Sequence, residues 1–178
     1  MKKMWLVLAL FMGMSATAHA GLMIEPYLGY EMGKTTDPDG KTDFVNMGLR
    51  LAYKTPVMLW VGVDGNFGVS GNFKPDSGAD ATAKRTAYFG VVGIDLPILL
   101  RAWAGYGFNN KVVADNPDGE WSGTAMKLGV GFTGLPFISL NLEYTKDTVD
   151  KTSGTVIGTD NDLNHDAYML SVSLPLVF

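Results

Sequence analysis

The side chains best equipped for acid–base chemistry lie in one short segment, "NDLNHDAYM" at 161–169. It contains His165, and the other histidine of the chain, His19, lies close to the N-terminus. A nucleophilic site would need this imidazole beside a hydroxyl and a carboxylate that share its surroundings in the fold. A single histidine in a polar loop is predicted to be a solvated residue, so the segment by itself does not indicate catalysis.

The overlapping segment "DNDLNHD" at 160–166 has oxygen-bearing side chains at alternate positions, as a Ca²⁺-binding loop does: Asp160, Asp162, Asn164 and Asp166. An EF-hand loop needs Gly at its sixth position and Glu at its twelfth, where this chain has His165 and Ser171. We expect an acidic, solvated loop. The chain has no cysteine, which excludes disulfides and thiolate metal sites. No metal and no cofactor is therefore predicted.

The first twenty residues have the layout of a secretory signal peptide. Two lysines precede an apolar run from Met4 to about Met14, and a small-x-small pattern ends at Ala20. The run is shorter than the ~20 residues that a spanning helix needs, so a membrane anchor is the weaker alternative. We predict that residues 1–20 are a signal peptide and that 21–178 form one exported domain.

The charge and hydropathy of the chain exclude some partners. It has 14 basic and 18 acidic residues, and removal of the two N-terminal lysines leaves 12 against 18, a net charge of −6. This balance argues against nucleic acid as a partner. No long apolar run follows residue 20, yet the mean hydropathy is +0.11, so apolar residues are interleaved with polar ones. Membrane β-strands have this pattern.

The prolines mark the ends of the predicted strands, because proline cannot donate to a β-ladder. From Pro38 to Pro136 they recur at intervals of 18 to 22 residues, about one strand plus one connection. Two kinds of proline site alternate along the chain. Pro38, Pro75 and Pro117 lie in polar segments such as "DNPDGE", whereas Pro56, Pro97 and Pro136 lie just before apolar runs such as "DLPILL". Long polar loops at one end and tight turns at the other are predicted, and a polar break at 150–166 completes a count of eight strands.

Each predicted strand alternates large apolar side chains with polar or small ones. The fourth, "RTAYFGVVGID", has apolar residues on both faces, and we place Tyr88, Val92 and Ile94 outward so that Arg85 and Asp95 point inward. Aromatic residues near the ends of the apolar faces predict one girdle at each membrane interface. They are Tyr30, Phe67, Tyr106, Tyr144 and Tyr168 toward the long loops, and Tyr53, Phe132 and Phe178 toward the tight turns.

From "IEPYLGYEMG" at 24–33 to the terminal "SLPLVF", the chain resembles the small eight-stranded outer-membrane barrels of the OmpA/OmpX type. The resemblance implies an all-β, antiparallel, up-and-down transmembrane β-barrel in the bacterial outer membrane. The chain departs from full-length OmpA-like proteins in that we expect no peptidoglycan-binding domain after the barrel. In such families the barrel-assembly machinery reads an alternating last strand that ends in Phe. That signal maps onto Tyr168, Leu170, Val172, Leu174, Leu176 and Phe178.

The charged residues of the strands are predicted to face the lumen, because Arg or Lys facing lipid at the bilayer midplane costs ~2–4 kcal/mol. An eight-stranded barrel is just wide enough for its own side chains, so we expect paired charges and filling by Trp60 and Trp103. The predicted lumen charge network consists of Glu25, Glu31, Arg50, Asp64, Arg85, Asp95, Arg101, Lys127 and Glu143.

Some barrels of this type modify lipid A. Deacylase-type barrels resemble one another in a His-x-Ser pair, whereas here Ala167 follows His165 by two residues. Palmitoyltransferase-type barrels need His, Asp and Ser at the outer rim, and only Ser122 or Ser153 could be proposed. The prediction is no enzyme, but a structural or surface-exposed envelope protein that contacts outer-membrane lipid and lipopolysaccharide and offers loops to a surface ligand. The alternative is a small channel for ions or small solutes.

Overall fold

The computed structural model describes residues 20–36, 39–76, 80–115, 119–154 and 164–178. Eight long strands follow one another, each antiparallel to the next. They are β1 (Gly21–Thr36), β2 (Gly40–Lys54), β3 (Leu59–Pro75), β4 (Ala81–Leu96), β5 (Leu100–Asp115), β6 (Gly119–Phe132), β7 (Ser139–Gly154) and β8 (Asn164–Ser173). A two-residue strand, β9 (Leu176–Val177), continues β8 beyond Pro175 and pairs with β1. In the described part of the chain, no helix is long and apolar enough to cross a membrane.

The sheet closes on itself because β1 pairs with β2 on one side and with β8 and β9 on the other. Closure leaves no strand edge with unpaired amides, which a β-structure in lipid requires. The all-β, eight-stranded, antiparallel up-and-down barrel is therefore confirmed. The predicted signal peptide lies outside the described residues except for Ala20, and it stays a prediction.

An apolar belt surrounds the outside of the barrel. On β1, outward residues are apolar from Leu22 to Met32, a length of strand that matches the ~9–11 residues of one bilayer crossing. Beyond Met32 the outward face turns polar at Lys34. The alternation in β4 is also as predicted, with Tyr88, Val92 and Ile94 exposed and Arg85 buried.

Tight turns join the strands at the end of the barrel where the sequence predicted them. In the turn after β2, the Met58 amide donates to the Thr55 carbonyl at 3.2 Å, and the Thr55 amide donates to Leu59 at 2.7 Å. Met58 has φ 67°, and Leu99 in the turn after β4 has φ 60°. The first turn has the hydrogen bonds of a three-residue hairpin loop that ends in a left-handed residue, and Leu99 has the same left-handed conformation after β4. Pro56 and Pro97 lie two residues before Met58 and Leu99.

Five register shifts interrupt the ladders, and all lie in the half of the barrel nearer the long loops. In β3 the shift follows Gly68, so Val69 and Ser70 both point outward before the alternation resumes. Strict period 2 does not predict these bulges, because a bulge adds one residue to one strand only. They determine which residues face the lumen near its outer end.

Glycines on the lumen face lie directly across from aromatic side chains of the neighbouring strand. Trp103 pairs with Gly129 and Trp60 with Gly93, and in both pairs a Cβ on the glycine would collide with the indole ring. Because glycine has no side chain, the indole ring can pack directly over the backbone of the neighbouring strand. Tyr27 has the same relation to Gly48.

Replacing Gly129 by alanine should destabilise the barrel by about 1–3 kcal/mol, because the new methyl group overlaps the Trp103 ring. The matched control is Gly90→Ala, since a Cβ at that outward position meets no atom within 4 Å. The measurement is the urea midpoint of the folded, heat-modifiable band on gels of the detergent-solubilised protein. Equal midpoints for the two variants would contradict this packing role.

Candidate functional site

The lumen is filled by layers of side chains. An aromatic group including Trp60, Trp103 and Phe89 lies toward the tight turns and along the β3–β5 wall. A second apolar group, which includes Phe44 and Trp121, lies toward the long loops. Charged residues occupy the space between and beside these groups, and we call them the lower cluster around Arg50 and the upper cluster around Arg85.

The lower cluster is centred on the Arg50 guanidinium of β2. Its nitrogens donate to Glu25 at 3.1 Å, to Asp64 at 3.3 Å and to Glu143 at 3.2 Å. The guanidinium also lies 4.5 Å from the centre of the Trp103 ring. Since Glu143 belongs to β7, one arginine connects strands on opposite sides of the lumen.

Two more cations complete the lower cluster. Arg101 donates to Glu25 at 2.7 Å, and Lys127 contacts Asp64 at 3.0 Å and Glu143 at 2.9 Å. Three cations therefore face three carboxylates. Each of these side chains is at most 3% exposed, so the pairs are shielded from solvent.

Neutral donors satisfy further carboxylate oxygens in the lower cluster. The Tyr27 hydroxyl donates to Asp64 at 2.8 Å, and the Ser173 hydroxyl donates to Glu25 at 2.6 Å. A buried ion pair is tolerated when hydrogen bonds also satisfy its remaining lone pairs. Because Ser173 lies at the end of β8 and Glu25 in β1, this contact also joins the two strands that close the barrel.

The upper cluster is centred on Arg85 of β4. One of its nitrogens donates to Glu31, and another donates to both carboxylate oxygens of Asp147 at 2.9 Å. Asn110 accepts from Nε of the same guanidinium at 3.2 Å, and Asn46 donates to Glu31 at 3.1 Å. Here two carboxylates face one guanidinium.

His165 belongs to the upper cluster, and its prediction as a solvated loop residue was wrong. It is the second residue of β8, is 2% exposed and points into the lumen. Nδ1 lies 2.7 Å from Asp147, and Nε2 lies 2.7 Å from the Thr42 hydroxyl. Gly33 makes room for this contact, because a Cβ there would collide with both His165 and Thr42. The side chain is buried because strand pairing extends farther toward the loops than the sequence indicated.

The Asp147–His165–Thr42 chain has the order of a carboxylate, an imidazole and a hydroxyl, which is the arrangement of a nucleophilic triad. Thr42 is 3% exposed, so its hydroxyl faces the packed interior and not a substrate cleft. Arg85 also engages both oxygens of the same carboxylate. The arrangement therefore satisfies buried polar groups within the lumen.

Eight of the nine charged residues proposed from sequence are buried on the lumen face. They are Glu25, Glu31, Arg50, Asp64, Arg85, Arg101, Lys127 and Glu143. The ninth, Asp95, lies at the rim near the tight turns, where it pairs with Lys54 and its side chain is 23% exposed. Trp60 and Trp103 lie in the lumen, with their ring centroids 6.3 Å apart.

Sequence reasoning missed Asp147 as a member of the network. Asp147 is in phase with Asn141, Glu143 and Thr145, so continuing the alternation of the seventh strand beyond Tyr144 would have placed it inward. His165 is likewise in phase with Ala167. The polar composition of 147–166 concealed both strand ends, because it resembles a loop.

The residues of the predicted assembly signal form the lipid-facing side of the last strand. All are exposed: Tyr168, Leu170, Val172, Leu174, Leu176 and Phe178. The Phe178 amide donates to the Leu22 carbonyl at 2.9 Å, and the Leu22 amide donates to Phe178 at 3.1 Å. The strand is thus paired to β1 along its length, while its recognition by assembly machinery stays a prediction.

No model of a known protein family matches the sequence, and no curated protein matches it. Solved structures do match. Neisserial surface protein A superposes with a TM-score of 0.57 at 13% identity, covering 88% of this chain and 98% of that chain. Ail, the attachment invasion locus protein of Yersinia pestis, solved with the heparin analogue sucrose octasulfate, gives 0.57 at 15% identity, covering 88% and 99%.

The outer-membrane enzyme PagL gives a TM-score of 0.52 at 14% identity, covering 84% of this chain and 99% of that chain. The fold is therefore that of the small eight-stranded outer-membrane barrels, as the OmpA/OmpX-type resemblance predicted. The apolar belt and these neighbours support an outer-membrane location. Because enzymes and non-enzymes share this fold, the likeness does not extend to activity.

Replacing Arg50 by methionine should destabilise the barrel by about 3–5 kcal/mol, because buried carboxylates lose their shared partner. Lys111→Met is the control, since Lys111 is exposed and pairs with Glu120 at the surface, where loss of one pair costs under ~1 kcal/mol. The free energy of unfolding is measured by urea titration in detergent micelles. Similar losses in both variants would show that the lower cluster does not hold the barrel together.

Proposed function

We propose that the protein is an integral outer-membrane barrel with a sealed lumen and a structural or surface-contact role, and that it neither conducts solutes nor catalyses a reaction. The observation that carries this proposal is the lower cluster. Its ion pairs cross the barrel from Arg50 to Glu143 and from Arg101 to Glu25, with indole rings packed beside them.

A sealed lumen follows from the size of the barrel and from the cost of moving these groups. Eight strands enclose a space that their own side chains fill. Opening a path would separate buried ion pairs, and separating such a pair costs several kcal/mol. The outer surface and the loops are then the parts of the molecule that remain available for contact with other molecules.

Two structural neighbours are named for surface roles, one as a neisserial surface protein and the other as an attachment invasion locus protein. Loops at the long-loop end would serve the same class of role here, and such loops determine specificity on a rigid scaffold. The segments at 37–38, 77–79, 116–118 and 155–163 lie outside the described residues. No specific surface ligand is therefore proposed.

The rival function is a small channel along the lumen charges. We expect the wild-type protein, reconstituted in planar bilayers and shown to be folded by its heat-modifiable migration, to give no reproducible single-channel steps. Steps that disappear in Arg101→Gln or Glu143→Gln would contradict the sealed lumen and favour the channel. Lys111→Gln is the matched control, because that lysine is exposed and outside the network.

The other rival is an acyl hydrolase that uses the Asp147–His165–Thr42 chain. Since Thr42 is buried, we expect lipid A from cells that express the protein to be unchanged in mass, with wild type and Thr42→Val giving the same spectrum. Loss of an acyl chain in wild type, abolished by Thr42→Val and by His165→Gln while both variants stay folded, would overturn the non-enzymatic proposal.

A further inference from the structure

Three lysines form one row across the outside of the barrel, just beyond the apolar belt. Lys34 of β1 is directly opposite Lys41 of β2, and Lys41 is directly opposite Lys74 of β3. All three are exposed and lie on the outward face. Since neighbouring strands lie ~4.8 Å apart, the backbones of the three lysines span a width of about 10 Å.

The row is unfavourable for the isolated barrel, because like charges directly opposite on neighbouring strands repel. Among the described residues, neither Lys34 nor Lys41 has a carboxylate within 4.0 Å, and Lys74 reaches Asp43 only at 3.9 Å. The other nearby carboxylate, Asp166, accepts a hydrogen bond from Tyr144 at 2.5 Å. Within the described residues, three lysines therefore face two carboxylates at this site, Asp43 and Asp166, and Asp166 is directly opposite Lys34 on β8.

A concave space of about 480 Å³ lies against this row, and its lining changes character along the barrel axis. The lysines line the side toward the long loops, and Tyr30, Met32 and Tyr168 line the side toward the bilayer centre. These three apolar or amphipathic residues are 49%, 60% and 58% exposed and lead into the apolar belt. The site therefore joins a cationic edge to a surface that suits a hydrocarbon chain.

We propose that the Lys34–Lys41–Lys74 row binds a phosphate group of a phosphorylated, acylated glycolipid of the outer leaflet, the lipid A part of lipopolysaccharide, whose acyl chains lie along Tyr30, Met32 and Tyr168. Lysine ammonium groups form charge-assisted hydrogen bonds to phosphate, and one dianion between them removes the cross-strand repulsion. The inference rests on the outer-membrane placement proposed above, and it names the lipid partner of that surface.

The test is native mass spectrometry of the delipidated barrel in detergent micelles, titrated with bisphosphorylated lipid A. We expect saturable binding of one molecule to the wild type and about tenfold weaker binding to Lys41→Gln, which removes the central cation. Lys111→Gln should bind as the wild type does, because Lys111 lies on β5 and is paired with Glu120. Lys41→Arg should retain binding.

Two further titrations identify the source of the phosphate. Lipid A without its phosphates should bind weakly and without dependence on Lys41, and inorganic phosphate alone should not compete. Equal binding by wild type and Lys41→Gln, or equal binding of the dephosphorylated lipid, would overturn the proposal, as would full competition by inorganic phosphate.

Lipid binding and conductance are separate measurements, so they test the lipid site and the sealed lumen independently. Lys41→Gln should keep the heat-modifiable migration and should be at least as stable as wild type without lipid, because it removes both like-charge pairs of the row. If lipid A does not bind a folded, non-conducting barrel, the lipid site is wrong and the sealed lumen stands. If lipid A binds a barrel that conducts, the sealed lumen is wrong and the lipid site stands.

Discussion

Neither a charge nor an unpaired backbone amide can face hydrocarbon at low cost, and this constraint organises the molecule. It requires closure of the sheet, which β1 provides by pairing with both β2 and β8. It also turns the charges of the membrane-spanning strands inward. The lumen must then hold cations and carboxylates in a space with little solvent, where each needs a partner.

The lumen satisfies this need by pairing across the barrel as well as along its wall. Arg50 contacts carboxylates from β1, β3 and β7, and Arg85 contacts carboxylates from β1 and β7. Indole rings fill the space beside these groups, and they fit because glycines such as Gly129 lie beneath them. The network is thus a packed interior, which is the physical basis for proposing contact and not transport.

The constraint ends where the strands leave the apolar belt, and the outward face changes there within one or two residues. On β1, Met32 is followed on the same face by Lys34, and on β7 Tyr144 is followed by Lys146. Beyond this border charge on the outside no longer opposes insertion. It becomes available to bind the phosphorylated surface of the membrane, which is the role proposed for the lysine row.

The sequence by itself determined the class of the fold, the number of strands and the face of most residues, because period 2 and the proline spacing are local properties of the chain. It placed eight of nine network residues in the lumen, although it could not assign Arg50 to Glu25, Asp64 and Glu143. Tertiary structure alone decided the pairings, since register and bulges depend on contacts between strands. For the same reason the burial of His165 and the alignment of Lys34, Lys41 and Lys74 could not be derived from sequence. Each residue looks ordinary in its own segment, and only strand pairing brings it to the others.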